Sequence, residues 1–303
     1  MSRKKPLVCI LMSTYNGEKY IKQQLDSIFA QEDVDVKLVV RDDGSKDSTL
    51  DILRQYNSIT LLEGSNIGCE ESFMELLFMD IEADYYAFAD QDDVWHPRKI
   101  ISAIENIQMH NCDLSVCNLK LVDGNLNEIG NLFSDQDIDN YQKIMDKFAQ
   151  TNFHGCVQVW TNKLHKIIQT YRPLHIEPHD VWVNAIANIV SSSYIDNRCF
   201  INYRLHGNNV SGYTTNIMNK LIKRIKLYFG KKHPQRDILS KQLLDNFGFY
   251  LNKTDSKYKT ISLIANYKRN IIQKLKLCFS PYFKSMTFKN RIIWSLCVLL
   301  NKY

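Results

Sequence analysis

The sequence predicts an α/β protein: a mostly parallel sheet flanked by helices, followed by a basic helical extension. Three observations predict it. Apolar runs of strand length alternate with segments whose apolar residues recur at helical spacing, joined by short polar links. Three of these runs end abruptly in polar or acidic clusters, as strands do at the ligand-binding edge of an open α/β sheet. Charge is also divided along the chain. Of 38 Lys+Arg, 19 follow Gly212, against 3 of the 33 Asp+Glu, so the last 91 residues carry +16 and the first 212 carry −11. That asymmetry points to an acidic catalytic or metal-binding body with a basic surface-binding tail.

Taken in order, Leu7–Met12 reads as a buried strand ending at Ser13-Thr14-Tyr15-Asn16-Gly17. Ile21, Leu25, Ile28 and Phe29 mark a helix over Glu18–Ala30. Lys37–Arg41 is a second strand closed by Asp42-Asp43-Gly44-Ser45, with Asp47 or Ser48 capping a helix over Thr49–Gln55. Ile59–Leu62 is a third strand. A helix through Phe73, Leu76, Leu77 and Met79 then leads to the strand Tyr85–Ala89, which stops at Asp90-Gln91-Asp92-Asp93-Val94-Trp95. His96-Pro97 opens a helix to about His110, proline being tolerated in a first turn.

Leu114–Asn118 and Leu119–Val122 read as strands around polar breaks, Asn125–Ile138 as a loop, and Gly155–Trp160 as a strand. Asn162–Tyr171 and Val181–Val190 are helical. Tyr194–Ile195 and Phe200–Tyr203 are short strands, and His206–Gly212 is a loop. Beyond Thr214, two apolar stripes are interleaved with Lys and Arg. One runs from Ile217 to Phe229; the other takes Ile264, Tyr267, Ile271, Leu275 and Cys278. Basic amphipathic helices suit an anionic membrane surface. No nucleic-acid motif accompanies the charge, so nucleic acid is not expected as a partner.

A chain of 303 residues, 45% apolar and 23% charged, is long enough to bury a full core. Its eight cysteines form no C-x-x-C pair and read as small buried hydrophobes in a reducing compartment. Arg3-Lys4-Lys5 precedes an apolar run too short for a signal peptide, and that run leads into polar residues. The longest later apolar stretch, Ile292–Leu300, falls well short of the ~20 residues of a spanning helix. The expectation is a cytoplasmic protein, peripheral on the inner face of the cell membrane.

An isolated Asp-x-Asp is an ordinary solvated turn; what surrounds this one gives it meaning. Three strand ends converge on one edge. Between them they offer an aromatic to stack a base (Tyr15), a carboxylate to accept from base or ribose (Asp42 or Asp43), and later aspartates to hold a diphosphate through a cation. No G-x-G-x-x-G follows the first strand and no G-x-x-x-x-G-K-[ST] occurs, which disfavours a hydride-transferring Rossmann enzyme or a P-loop ATPase.

Ser13-Thr14-Tyr15-Asn16-Gly17, Arg41-Asp42-Asp43-Gly44-Ser45-Lys46-Asp47, Asn66-Ile67-Gly68 and Asp90-Gln91-Asp92-Asp93-Val94-Trp95 stand in the order and spacing of family 2 glycosyltransferases of the GT-A fold. Tyr203–Gly212 resembles the bacterial rhamnosyltransferase-type branch. The resemblance covers residues 6–212 and implies a GT-A catalytic domain over 1–212, with a nucleotide-binding half (1–95) and an acceptor-side half (96–212). Residues 213–303 form the tail.

The resemblance implies that Tyr15 with Asp42 or Asp43 grips the nucleobase and Asp90 the ribose. Ser13, Thr14, Asn16, Asp93 and Trp95 belong to the same donor-binding set. Asp92 would hold Mn²⁺ or Mg²⁺, with His206 as a further ligand. Asp180, in Pro178-His179-Asp180-Val181-Trp182, would be the base that deprotonates the acceptor hydroxyl. Glu70-Glu71 stands where many relatives place an arginine, and His179 where many carry glutamate. The Q-x-x-R-W signature of processive synthases is missing.

The implied function is an inverting, metal-dependent glycosyltransferase. It would move one sugar, rhamnose from dTDP-rhamnose by the branch, from a nucleotide-diphosphate donor to a bacterial surface glycan on a lipid-linked acceptor. The alternatives are a sugar nucleotidyltransferase, which should carry a glycine-rich basic phosphate loop after strand one, and a non-catalytic sugar-nucleotide or membrane-binding module.

Overall fold

The structure, a computed structural model, describes residues 4–133, 153–173, 178–206, 235–284 and 288–303. The described residues up to His206 form one compact unit and those from Gln235 onward another. The first unit is built on a nine-stranded sheet.

Its N-terminal half alternates strand and helix: β1 (Leu7–Thr14), α1 (Ile21–Phe29), β2 (Asp35–Asp42), α2 (Thr49–Leu53), β3 (Ile59–Glu63), α3 (Cys69–Leu77) and β4 (Tyr85–Ala89). β3, β2, β1 and β4 are mutually parallel. Val8–Met12 and Tyr86–Ala89 are buried throughout, as strands covered on both faces must be. Parallel pairing makes β1, β2 and β4 end on the same side, so Tyr15, Asp43 and Asp90 leave the sheet at one edge.

The second half reverses some strands. β5 (Val94–Trp95) runs antiparallel to β9 (Ser193–Arg204), and β8 (Gln158–Thr161) antiparallel to both β4 and β6 (Leu114–Val122). β6 and β9 are parallel. β7 (Glu128–Asn131) turns back on β6, and the sheet order is β3-β2-β1-β4-β8-β6-β9-β5 with β7 beside β6. The helices are α4 (Lys99–His110), α5 (Asn162–Ile168) and α6 (His179–Val190). A 3₁₀ turn, Gly155–Val157, precedes β8.

Two pairs of expected strands are single strands. β6 continues through Asn118 and β9 through Asp196–Cys199, each with register shifts where polar side chains interrupt the apolar pattern. Asn118 explains the first: its Oδ1 accepts from the Leu119 amide, so a local bond replaces a ladder bond without ending the strand. Asn125–Ile138 was expected as a loop, but its described part contains β7. Gly155–Val157 is a turn where a strand was expected.

The second unit is helical: α7 (Arg236–Phe247), α8 (Ser256–Asn266), α9 (Ile271–Cys278), α10 (Pro281–Lys284) and α11 (Phe288–Leu299). The expected continuous stripe from Ile264 to Cys278 is divided. A 3₁₀ turn at Tyr267–Arg269 and the extended cap Asn270 separate α8 from α9, burying Ile264 and Tyr267 but exposing Ile271 and Leu275. The stripe from Ile217 to Phe229 and the loop beyond His206 lie outside the described residues. Among the described residues no helix is long and apolar enough to cross a membrane. The cysteines are free, and six of the eight are buried.

Candidate active site

The loop after β1 is built by hydrogen bonds between neighbouring strand ends. Tyr15 is 42% exposed at the sheet edge while its backbone is held by one side chain. Gln91 accepts from the Tyr15 amide at 2.9 Å and donates to the Tyr15 carbonyl at 3.0 Å. Gly17 makes room for this clamp, since a Cβ there would overlap the Gln91 amide. Asn16 adopts a left-handed φ of 49° and accepts from the Lys46 amide, which ties the loops after β1 and β2 together.

Asp42 and Asp43 stand behind this edge rather than on it. Asp42 accepts from Thr14 Oγ1, the Ser45 amide and Ser45 Oγ, all within 2.9 Å. Asp43 pairs with Arg41 at 2.6 Å and accepts from the amides of Ile67 and Gly68. Ser13 and Thr14 are buried with them, Ser13 bonding Ser72 on α3. The structure therefore shows these four shaping the loops, with Tyr15 and Asn16 exposed beside them. Trp95 is likewise buried in β5, with Lys99 Nζ lying 3.4 Å from its ring centroid.

The carboxylates after β4 divide by environment. Asp92 is partly exposed and meets His206 Nε2 at 2.6 Å through its Oδ2. Asp93 is fully buried, one oxygen accepting from the Arg204 amide and the other without a partner. Burial, then the charges of Asp90 and Asp92, push the Asp93 carboxyl well above the usual range. Asp90 is raised to about 7, chiefly by burial and then by Asp92. Lys99 points its ammonium into the same region without a hydrogen-bond partner, and burial lowers it to about 8.

Sequence reasoning did not single out Arg204. Its guanidinium donates to the carbonyls of Asp92 and Gly124 and to Gln23, over the Tyr20 ring, and so fixes the acidic turn to the end of β9. Tyr20 also lies 5.2 Å from His206. Arg204 stood inside the Tyr203–Gly212 motif, but only the pairing of β5 with β9 brings it under the aspartates.

Asp180 occupies the first turn of α6, where the helix dipole favours a carboxylate. Its Oδ1 accepts from the Val181 amide at 2.7 Å. Burial dominates over that bond, and Glu70 adds to it, raising Asp180 to about 6. Asp180 is close enough to add its charge to that felt by Asp90. The start of α6 is pinned on several sides. Gln158 on β8 donates to the Asp180 carbonyl. His179 stacks on Phe73 of α3 at 4.1 Å and meets Phe88 of β4 edge-on at 4.5 Å. Burial lowers His179 to about 3, so its ring is a neutral packing surface. Gly155 supplies the space, because a Cβ there would overlap His179 Nε2.

Two groups could hold a cation. Asp92 and His206 offer a carboxylate oxygen and an imidazole nitrogen at an accessible rim, a donor set that suits Mn²⁺ and serves Mg²⁺ through the carboxylate. Asp90, Asp93 and Cys156 bring their ligand atoms within 4.8 Å of one another. Burial holds the Cys156 thiol protonated and the Lys99 ammonium is nearby, so for a hard cation the first group fits better.

Comparison with known proteins gives a consistent picture. The model of "Glycosyl transferase family 2" matches residues 9–164. The dTDP-rhamnosyl transferase RfbG of Shigella flexneri is 31% identical over 238 residues, spanning 73% of this chain and 80% of its own. An uncharacterized glycosyltransferase of Rickettsia prowazekii is 27% identical over 263 residues, 82% of this chain and 80% of its own. Among solved structures, S. aureus TarS 1-349 in complex with UDP-GlcNAc superposes with a TM-score of 0.58 at 17% identity, covering 98% of this chain and 89% of that one. The mannosyltransferase PcManGT of Pyrobaculum calidifontis, in complex with GDP-Man and Mn²⁺, gives 0.57 at 15% identity, covering 99% and 81%. At such identities the likeness is one of fold.

Proposed function

The chain belongs to glycosyl transferase family 2 and has the GT-A fold; from that premise we propose that it is an inverting, divalent-metal-dependent transferase of a single sugar from a nucleotide-diphosphate donor. The observation that carries this reading is a pair of carboxylates in different settings, one joined to an imidazole and one in a helix first turn. Asp92 is part-exposed and joined to His206, while Asp180 is half-buried in a helix first turn with its carboxyl raised to about 6.

In this reading Tyr15 stacks the nucleobase, its backbone fixed by Gln91, and the loops held by Asp42 and Asp43 shape the rest of the nucleoside pocket. Asp90 meets the ribose. Asp92 and His206 hold Mn²⁺ or Mg²⁺, which when bound supplies Lewis-acid stabilisation to the leaving diphosphate. Asp180 accepts the proton of the acceptor hydroxyl as that oxygen attacks the anomeric carbon. Attack opposite the leaving group in one displacement inverts the centre. RfbG is named a dTDP-rhamnosyl transferase, which supports dTDP-rhamnose as donor. The acceptor is a growing surface glycan carried on lipid, and the basic second unit holds the active site at an anionic membrane surface on the cytoplasmic side.

The test is donor hydrolysis in Mn²⁺ across a panel of dTDP-, UDP- and GDP-sugars, with Asp92→Ala as control. Turnover of dTDP-rhamnose that is lost with chelator and with Asp92→Ala is the expected result. Turnover of a different sugar nucleotide would replace the donor assignment, and turnover indifferent to both chelator and Asp92 would remove the metal role.

A further inference from the structure

Two helices of the second unit are amphipathic in the reverse sense, with apolar stripes turned to solvent. On α9 and the residue after it, Ile271, Ile272, Leu275 and Phe279 are exposed, from 44% to 70%, at positions i, i+1, i+4 and i+8. On α11 and the residue after it, Ile292, Leu296, Leu299 and Leu300 are exposed at i, i+4, i+7 and i+8. Each set lies on a single helical face. Each helix also has a packed face, through Leu277 and Cys278 on α9 and Cys297 and Val298 on α11. The outward residues are therefore surplus to the core. The helices are antiparallel neighbours: Lys274 Nζ donates to the Leu299 carbonyl at 2.9 Å, and Cys278 Sγ faces the Ser295 carbonyl one turn along.

We propose that α9 and α11 are an interfacial anchor that inserts these apolar stripes into the headgroup region of an anionic lipid bilayer. Charge selects the occupant. From Ser256 to Tyr303 the chain has ten Lys and Arg and no Asp or Glu. Arg269, Lys276 and Lys284 are exposed before, on and after α9. Two copies of this unit would bring like charges together, whereas an anionic bilayer satisfies the apolar faces and the cations at once. No described helix can span, so each lies in the plane of the interface. This inference deepens the reading above, in which the acceptor is carried on lipid, and rests on it.

The test uses the full chain and vesicles of phosphatidylcholine with and without phosphatidylglycerol. Sedimentation with the mixed vesicles is expected, with at least tenfold weaker partition to neutral ones. Leu275→Ser combined with Leu296→Ser should reduce partition to mixed vesicles at least tenfold while circular dichroism stays unchanged. Lys276→Glu, which leaves both stripes intact, should weaken it less. In the Phe279→Trp variant, quenching by brominated lipid would report insertion. Failure to bind mixed vesicles, binding indifferent to the double substitution, or a lipid-free dimer abolished by it would each overturn the anchor. Donor hydrolysis in solution reads the transferase assignment separately: turnover without vesicle binding sinks the anchor alone, and binding without turnover sinks the transferase alone.

Discussion

Asp180 illustrates how a carboxyl acquires a function from its surroundings. Its hydrogen bond to the Val181 amide and its place in a helix first turn favour the anion, but burial outweighs both and raises it to about 6. A base must be deprotonated to act, so transfer should rise about tenfold per pH unit below 6 and level off above it. Asp180→Asn should lower transfer by roughly 10²–10⁴-fold, the usual contribution of a general base, while leaving nucleoside diphosphate affinity intact. Single-turnover rates across pH, alongside calorimetric titration, check both. A variant that transfers at the wild-type rate would remove Asp180 from this role. Asp92 contrasts with it: part-exposed, it meets His206 Nε2 at 2.6 Å, and the two form the pair proposed to hold the cation.

At the scale of elements, the base is positioned by pieces remote in sequence. The His179 ring joins α6 to α3 through Phe73 and to β4 through Phe88, while Gln158 ties β8 to the first turn of α6. All of this depends on Gly155. Gly155→Ala should push the imidazole outward and carry Asp180 with it. The expected loss is on the order of 10²-fold in kcat, as for a displacement of about an ångström. Nucleoside diphosphate affinity should be unchanged, because the loops bearing Tyr15 and Asp43 are braced separately by Gln91 and Arg41. A matching loss of nucleotide affinity would show that the turn supports the whole edge rather than the base alone.

For the whole molecule, the buried imidazoles weigh against stability in acid. Burial lowers His165 to about 4 and His179 to about 3, below the ordinary value near 6.5. Between pH 6.5 and 4 the unfolded chain therefore takes up protons at these two rings that the folded chain refuses, so their contribution to stability falls as pH falls, opposed by the raised carboxyls of Asp90, Asp93 and Asp180, which the fold holds protonated. At pH 5 each ring costs about 2 kcal/mol relative to neutral pH. His179→Phe should remove this ring's share, so the variant's midpoint of thermal unfolding should gain on that of the wild type as pH falls from 7 to 5, and a constant difference would mean the ring is protonated in the fold.

The sequence by itself determined the order of the first seven elements, the clustering of Ser13–Asn16, Asp42–Ser45 and Asp90–Asp93 at strand ends, and the family. Strands buried on both faces leave long apolar runs, and loops at a sheet edge leave short polar motifs, both of which are local signals. Tertiary structure decided which of those residues are exposed at the sheet edge. It placed Asp42, Asp43 and Trp95 behind the edge and left Tyr15 on it. It brought Arg204 beneath the acidic turn and His206 onto Asp92 across more than a hundred residues. It also divided one expected basic stripe into two helices and turned the apolar face of the second outward. Periodicity records that a face is apolar, but what covers that face depends on elements distant in the chain, and so does the burial that sets each carboxyl's pKa.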